Sequence, residues 1–173
     1  MRIFISIKLP PKILIKVKEI QDSLPEFSGK KTEIKNLHLT LKFLGEISQE
    51  KLEEVRAKLR EGDFPKFEVE LKELGFFDNP NNGIIWINLS NCENIQKEID
   101  NILEDLFDKE RRFMGHITIA RVKDFRNNKN LLDILKKINV PNLFFIVDKF
   151  YLVESKLNKD GPEYNVIEEY NLK

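Results

Sequence analysis

Several residue types are scarce in this chain, and each shortage removes a class of function. A lone cysteine, Cys92, rules out an intrachain disulfide and fits a reducing compartment. It stands before a helical pattern with no motif around it, so it is expected to be a bystander rather than a nucleophile. Seven glycines are scattered singly, which leaves no glycine-rich loop to cradle a nucleotide phosphate. No apolar run approaches the roughly 20 residues of a membrane span. The opening Ile3-Phe4-Ile5-Ser6-Ile7 is too brief for a signal-peptide core, so no membrane partner is expected and the cytoplasm is the expected location. Net charge is missing as well: 29 basic residues balance 29 acidic ones. No global field draws the chain to nucleic acid or a lipid surface, and an anionic ligand would need a local basic cleft.

Histidine and threonine are scarce too, and their placement is not random. The two histidines each open the same tetrapeptide, His38-Leu39-Thr40-Leu41 and His116-Ile117-Thr118-Ile119. Only three threonines exist, Thr32, Thr40 and Thr118, so both motif positions would be threonine by chance roughly two times in ten thousand. Polar and apolar residues alternate over the four positions, as on a half-buried strand. Side chains two residues apart share a face, so each histidine points with its threonine, roughly 6–7 Å apart along the strand, while the leucines and isoleucines face a core.

The length, 173 residues, suits one compact unit of two lobes that buries about 70% of its unfolded surface. Strands are expected at 2–8, 31–34, 37–44, 67–71, 84–89, 115–122, 143–154 and 164–172. Helices are expected at 12–24, from the Ser48 N-cap to Arg60, at 93–108 and at 129–138. Turns are read at Asn79-Pro80-Asn81-Asn82-Gly83 and around Asn158-Lys159-Asp160-Gly161-Pro162. Interleaved helices with short hairpin connections make an α+β pattern with antiparallel sheets. The two motif strands fall in corresponding places of two halves, which suggests an internal duplication.

Imidazole titrates near neutrality, so one ring can take a proton while another gives one. Two rings on opposite sides of a phosphorus make an acid/base pair for in-line displacement, and the threonine hydroxyls can donate to its non-bridging oxygens. Two histidines without a His-x-x-x-His spacing or a cysteine pair are a poor metal set, so no metal and no other cofactor is expected. Strict alternation puts Lys42 on the His38 face, as a phosphate contact or an ordinary solvated lysine. The same alternation puts Phe43 among the core leucines, although its ring could instead stack on a base.

The segment Asn36-Leu37-His38-Leu39-Thr40-Leu41-Lys42-Phe43-Leu44-Gly45-Glu46 resembles the first motif of the RNA 2′,3′-cyclic phosphodiesterases, the LigT-like branch of the 2H phosphoesterases, also called 2′-5′ RNA ligases. Phe113-Met114-Gly115-His116-Ile117-Thr118-Ile119-Ala120-Arg121 resembles the second, and both chain ends are similar to the family's ends. The resemblance implies a bilobal α+β fold with two sheets facing a central cleft. It implies hydrolysis of a ribose 2′,3′-cyclic phosphate to a 2′-phosphate without metal, and reversible 2′-5′ joining of RNA ends. His38 would be the proton donor to the leaving 3′-oxygen and His116 the proton acceptor from water. Thr40, Thr118 and Arg121 would hold the phosphate. Alternation alone sets Arg121 on the face opposite His116, so that role requires a β-bulge, and a surface ion pair is the rival role. The expected partners are RNA ends or small cyclic nucleotides, with the protein a monomer. A non-catalytic nucleotide- or RNA-binding module, and a 2H phosphodiesterase acting on 2′-5′ oligonucleotides or other small cyclic phosphates, are the alternatives. The sequence departs from the family where Gly115 replaces the usual proline, which is expected to loosen entry into the second motif strand. It departs again where Asn82-Gly83 replaces Pro-Arg.

Overall fold

The computed structural model describes residues 1–80, 82–159 and 161–173, so Asn81 and Asp160, read as parts of two turns, lie outside the described residues. Strand β1 (Arg2–Lys8) ends at Leu9-Pro10, and Pro11 then starts helix α1 (Pro11–Asp22) at a position where a missing amide costs nothing. Ile13, Val17 and Ile20 form its buried stripe. Next come β2 (Gly29–Lys31), a 3-10 turn at Ile34–Asn36, and β3 (His38–Glu46). Helix α2 (Gln49–Glu61) is capped as expected, with the Ser48 hydroxyl accepting from the Lys51 amide at 3.2 Å. The chain continues through β4 (Phe67–Phe77), β5 (Gly83–Leu89), α3 (Glu93–Ile102), β6 (His116–Val122), α4 (Lys129–Leu135), β7 (Phe144–Val147), β8 (Lys149–Asn158) and β9 (Gly161–Asn171).

Among the described residues every strand pairing is antiparallel, in the order β7-β4-β5-β6-β3-β1-β8-β9, with β2 added beside β6. The expected two sheets are therefore two halves of one large sheet. Among the described residues they meet at a single register pair, Leu39 opposite Ile117, between the two motif strands. The duplication is visible in the topology. A β1-α1-β3-α2 unit is matched by a β5-α3-β6-α4 unit, and the motif opens the second strand of each. The helices also cross between halves, since α3 packs on β3 and α1 on β6. Leu39, Leu41, Ile117 and Ile119 are sealed in the core between them, which fixes the face left for His and Thr.

Several boundaries differ from the sequence reading, among them that of β4, expected over 67–71 and observed over Phe67–Phe77. The short strand lies at Gly29–Lys31, and residues 34–36 form the 3-10 turn instead. Helix α3 stops at Ile102 rather than near residue 108: Leu103 leaves helical geometry, and the chain turns back so that the Glu110 amide can bond Asp100. Helix α4 stops at Leu135, short of residue 138. The strand expected over 143–154 is two strands in different halves, β7 against β4 and β8 against β1. They separate at Asp148, whose carbonyl accepts from the Leu172 amide at 2.8 Å.

Candidate active site

The two motif strands carry the same irregularity. Opposite β1, Ser6 faces Thr40 and Ile5 faces Lys42, so Leu41 is an extra residue. Opposite β5, Trp86 faces Thr118 and Ile85 faces Ala120, so Ile119 is the extra one. Each is a β-bulge, and after a bulge the alternation of faces slips by one. The burial sequences coincide residue for residue: His and Thr half-buried, the next two residues buried, the one after them exposed. The second bulge is braced from outside the strand, because the Ile119 carbonyl accepts from both the Thr32 amide at 2.9 Å and the Gln21 side chain at 2.7 Å.

The slip decides three residues. It returns Arg121 to the face of His116 and Thr118, where it lines the same cleft. It corrects the sequence reading of Phe43, which is 70% exposed at the cleft edge and not among the core leucines. It also corrects Lys42, which borders the cleft but is buried, its ammonium turned to the interior and not solvated on the His38 face. There its ammonium pairs with Asp100 and donates to the Asp108 carbonyl at 2.7 Å.

Both imidazoles are oriented by the main chain. His38 Nδ1 lies 2.7 Å from the Asn36 carbonyl and His116 Nδ1 2.8 Å from the Met114 carbonyl, in each case two residues upstream. A carbonyl oxygen only accepts, so both Nδ1 atoms carry hydrogen and donate, and both Nε2 atoms are left for the cleft. His38 Nε2 lies 3.1 Å from the Thr40 hydroxyl. Aromatic rings wall each imidazole: Phe4 and Tyr164 at 5.0 and 5.1 Å from His38, Phe77 and Trp86 at 6.0 and 6.4 Å from His116. The pKa of His38 is held below its ordinary value, first by burial and then by the positive charges of His116 and Arg121, with the Asn36 carbonyl pulling the other way.

The cleft has a volume of about 660 Å³ and is lined by both histidines, both threonines, Arg121 and Tyr164. Its polar rim supplies Arg2, Lys30, Lys31 and Arg112 against Glu33 and Glu110, so a locally basic surface exists in a chain of zero net charge. Phe4, Tyr164 and the two orienting carbonyls were not singled out from sequence. Carbonyls carry no residue signal, and Tyr164 reaches His38 only through the β8–β9 hairpin, whose Pro162 carbonyl accepts from the Asn36 side chain at 3.2 Å. Cys92 is buried, which pushes its thiol up to about 12 and suits a bystander. Among the described residues no group of three or more His, Cys, Asp or Glu side chains stands together as a metal site, and no helix is long and apolar enough to cross a membrane.

Gly115 has a physical reason. A Cβ there would come within 2.6 Å of the Leu89 carbonyl and 3.2 Å of Cys92 Cβ. Entry to β6 is held, not loosened: the Gly115 carbonyl accepts from the Leu89 amide at 2.8 Å and the Asn88 side chain at 3.0 Å. At the second departure, Asn82 meets Arg121 at 3.5 Å.

Residues 7–86 and 89–164 match the model of the family described as LigT like Phosphoesterase. The chain is 37% identical to a protein of Methanocaldococcus jannaschii named RNA 2′,3′-cyclic phosphodiesterase, over 98% of this chain and 100% of that one. It is 33% identical to a protein of the same name from Archaeoglobus fulgidus, over 95% and 96% of the two chains. Among solved structures, a Thermus thermophilus protein aligns with a TM-score of 0.83 at 26% identity, covering 99% of this chain and 98% of that one. Escherichia coli LigT, solved in complex with 3′-AMP, shares the fold with a TM-score of 0.80 at 22% identity over 99% and 97% of the chains.

Proposed function

The chain belongs to the LigT-like phosphoesterase family, and from that membership we propose that it opens RNA 2′,3′-cyclic phosphodiester ends to a 2′-phosphate by two-histidine acid/base catalysis. The whole chain, residues 1–173, is read as one 2H phosphoesterase unit of two lobes, each supplying one His-x-Thr motif. The observation that carries the reading is the pair of imidazoles, each with Nδ1 donating to a carbonyl and Nε2 left for one shared cleft.

In this scheme His116 Nε2 takes a proton from water as its oxygen attacks phosphorus. The bond from phosphorus to the 3′-oxygen breaks, and His38, protonated at Nε2, gives that oxygen its proton. Burial favours the neutral form of His38, which makes its imidazolium a stronger acid toward the leaving oxygen. Thr40 and Thr118 donate to the non-bridging oxygens, and Arg121 neutralises their charge. Every proton moves between water, imidazole and sugar oxygen, so turnover proceeds in chelator. Run backwards, with a ribose 2′-phosphate end as reactant, the same proton transfers re-form the cyclic ester; with an RNA hydroxyl in place of water they cover 2′-5′ joining. The preferred substrates are RNA ends or small cyclic nucleotides, since the basic rim is local. The relatives named RNA 2′,3′-cyclic phosphodiesterase support this choice over a purely binding module.

The test is incubation of the protein with RNA ending in a 2′,3′-cyclic phosphate, with and without chelator, and identification of the product by phosphorus NMR. The expected product is the 2′-phosphate in both conditions, and a 3′-phosphate would reverse the assigned roles. His38→Ala and His116→Ala are each expected to lower turnover by about 10²–10⁴. Wild-type turnover in either variant would exclude the two-histidine mechanism.

A further inference from the structure

Segment 108–114 joins the end of the α3 turn to β6 and walls the cleft with Glu110, Arg112, Phe113 and Met114. Among the described residues, no main-chain hydrogen bond to another main-chain atom holds it. Its tethers run through side chains, among them that of Lys109, which donates to Asn101 Oδ1 and pairs with Glu104, each at 2.8 Å. At one end the Lys42 ammonium donates to the Asp108 carbonyl at 2.7 Å, and Asp100 Oδ2 accepts from the Glu110 amide at 2.8 Å. At the other end the Met114 carbonyl accepts from the imidazole of His116.

Lys42 and Asp100 also pair with each other, and each side chain is only 5% exposed. Gln96 completes the set, donating to Asp100 Oδ2 at 2.7 Å. A buried ion pair is a weak source of net stability, because both ions lose their water, and apolar residues of similar volume often hold a fold as well. A second use therefore has to be sought where the pair is attached. It joins the strand of His38 to the segment that carries the acceptor of His116. The duplication sharpens the point: the equivalent of Lys42 in the second half is Ala120, so the fold repeats without an ion pair at that place.

We propose that Lys42 and Asp100 are positioning residues for His116, acting through segment 108–114. By fixing Asp108 and Glu110 to β3 they fix where the Met114 carbonyl stands. That carbonyl keeps the proton of His116 on Nδ1 and leaves Nε2 facing the cleft. With the pair removed, the segment loses its link to β3; Lys109, bonded to Asn101 and Glu104, and Gly115, bonded to Leu89 and Asn88, still hold its ends, and the Met114 carbonyl between them is free to leave Nδ1.

A chain with two histidines allows a direct test, because imidazole nitrogen–proton NMR spectra contain two rings only. The double variant Lys42→Met with Asp100→Leu removes both charges together, so no lone buried ion remains. It is expected to unfold cooperatively as the wild type does, while the His116 signals move toward mixed tautomers and those of His38 stay in place. Turnover of the cyclic end is expected to fall roughly ten- to a hundredfold in kcat, with KM within about threefold of wild type. If the double variant does not fold, Asp100→Asn keeps the shape but can no longer hold both Lys42 and Glu110, and it is expected to move the His116 signals in the same direction. Unchanged His116 signals in the folded variant would overturn the proposal. The inference rests on His116 as the base only for its kinetic arm. Wild-type protein inert toward every cyclic end, together with the expected spectral change, would sink the proposed function and leave the positioning role standing.

Discussion

Phe43 and Arg121 occupy the same place in the two halves of the sheet. Each follows its motif threonine by three residues, just past a bulge, and each stands exposed on the cleft face, Phe43 opposite Phe4 and Arg121 opposite Ile84. The cleft is thus symmetric in histidine and threonine but not in what flanks them: an aromatic ring on one side, a guanidinium on the other. A ribose phosphate end has the same asymmetry, with a flat base at one side of the phosphorus and charged oxygens on it.

Replacing Phe43 by alanine is expected to change folding stability by less than about 1 kcal/mol, where a buried phenylalanine costs about 3–5 kcal/mol. Denaturant midpoints measure this directly. The same variant is expected to raise KM for an RNA end more than it lowers kcat, because base stacking is worth about 1–3 kcal/mol. A loss of several kcal/mol in stability would return Phe43 to the core.

Arg121→Gln is expected to lower kcat/KM by about 10²–10³ through loss of charge opposite the phosphate oxygens. It is also expected to raise the pKa of His38 toward its ordinary value, since the Arg121 charge is one of the effects that depress it. Burial is the larger effect, so the value stays below ordinary. An NMR titration of the His38 ring in which the variant and wild type coincide would show that the guanidinium does not act on this site.

Stability should fall on acidification. His38 titrates near 6.5 when unfolded and lower when folded, so between the two values the unfolded chain binds more protons. The folded state therefore loses stability as pH drops below about 6.5, and this contribution levels off under the folded pKa. His38→Asn should flatten the profile between about pH 7 and the carboxylate range. Thermal midpoints with the same pH slope in both proteins would contradict the assignment.

Gly115→Pro is expected to destabilise by about 1–3 kcal/mol, because the added Cβ meets the Leu89 carbonyl. Pairing Gly115→Pro with Cys92→Ala should recover little, since the nearest obstacle is main chain. Urea unfolding of the single and double variants decides it, and a neutral or stabilising single variant would mean that β5 shifts freely.

Much of the fold could be read from the chain because alternation and helical spacing are local. The strands carrying His38 and His116, the Ser48 cap and the β4–β5 hairpin are where the pattern put them. The expectations that failed depended on distant partners. The α3 helix stops early because Asp100 bonds the Glu110 amide, and the strand expected over 143–154 divides because β4 and β1 lie in different halves of the sheet.

The sequence by itself determined that two His-x-Thr faces exist, because two scarce residue types recur at a spacing that only a strand turns into a shared face. The tertiary structure decided what stands beside them. A bulge adds one residue to a strand without any mark in composition, and each bulge depends on register against a neighbour far along the chain. Those two extra residues, Leu41 and Ile119, sent Lys42 inward to Asp100 and brought Phe43 and Arg121 out to the cleft.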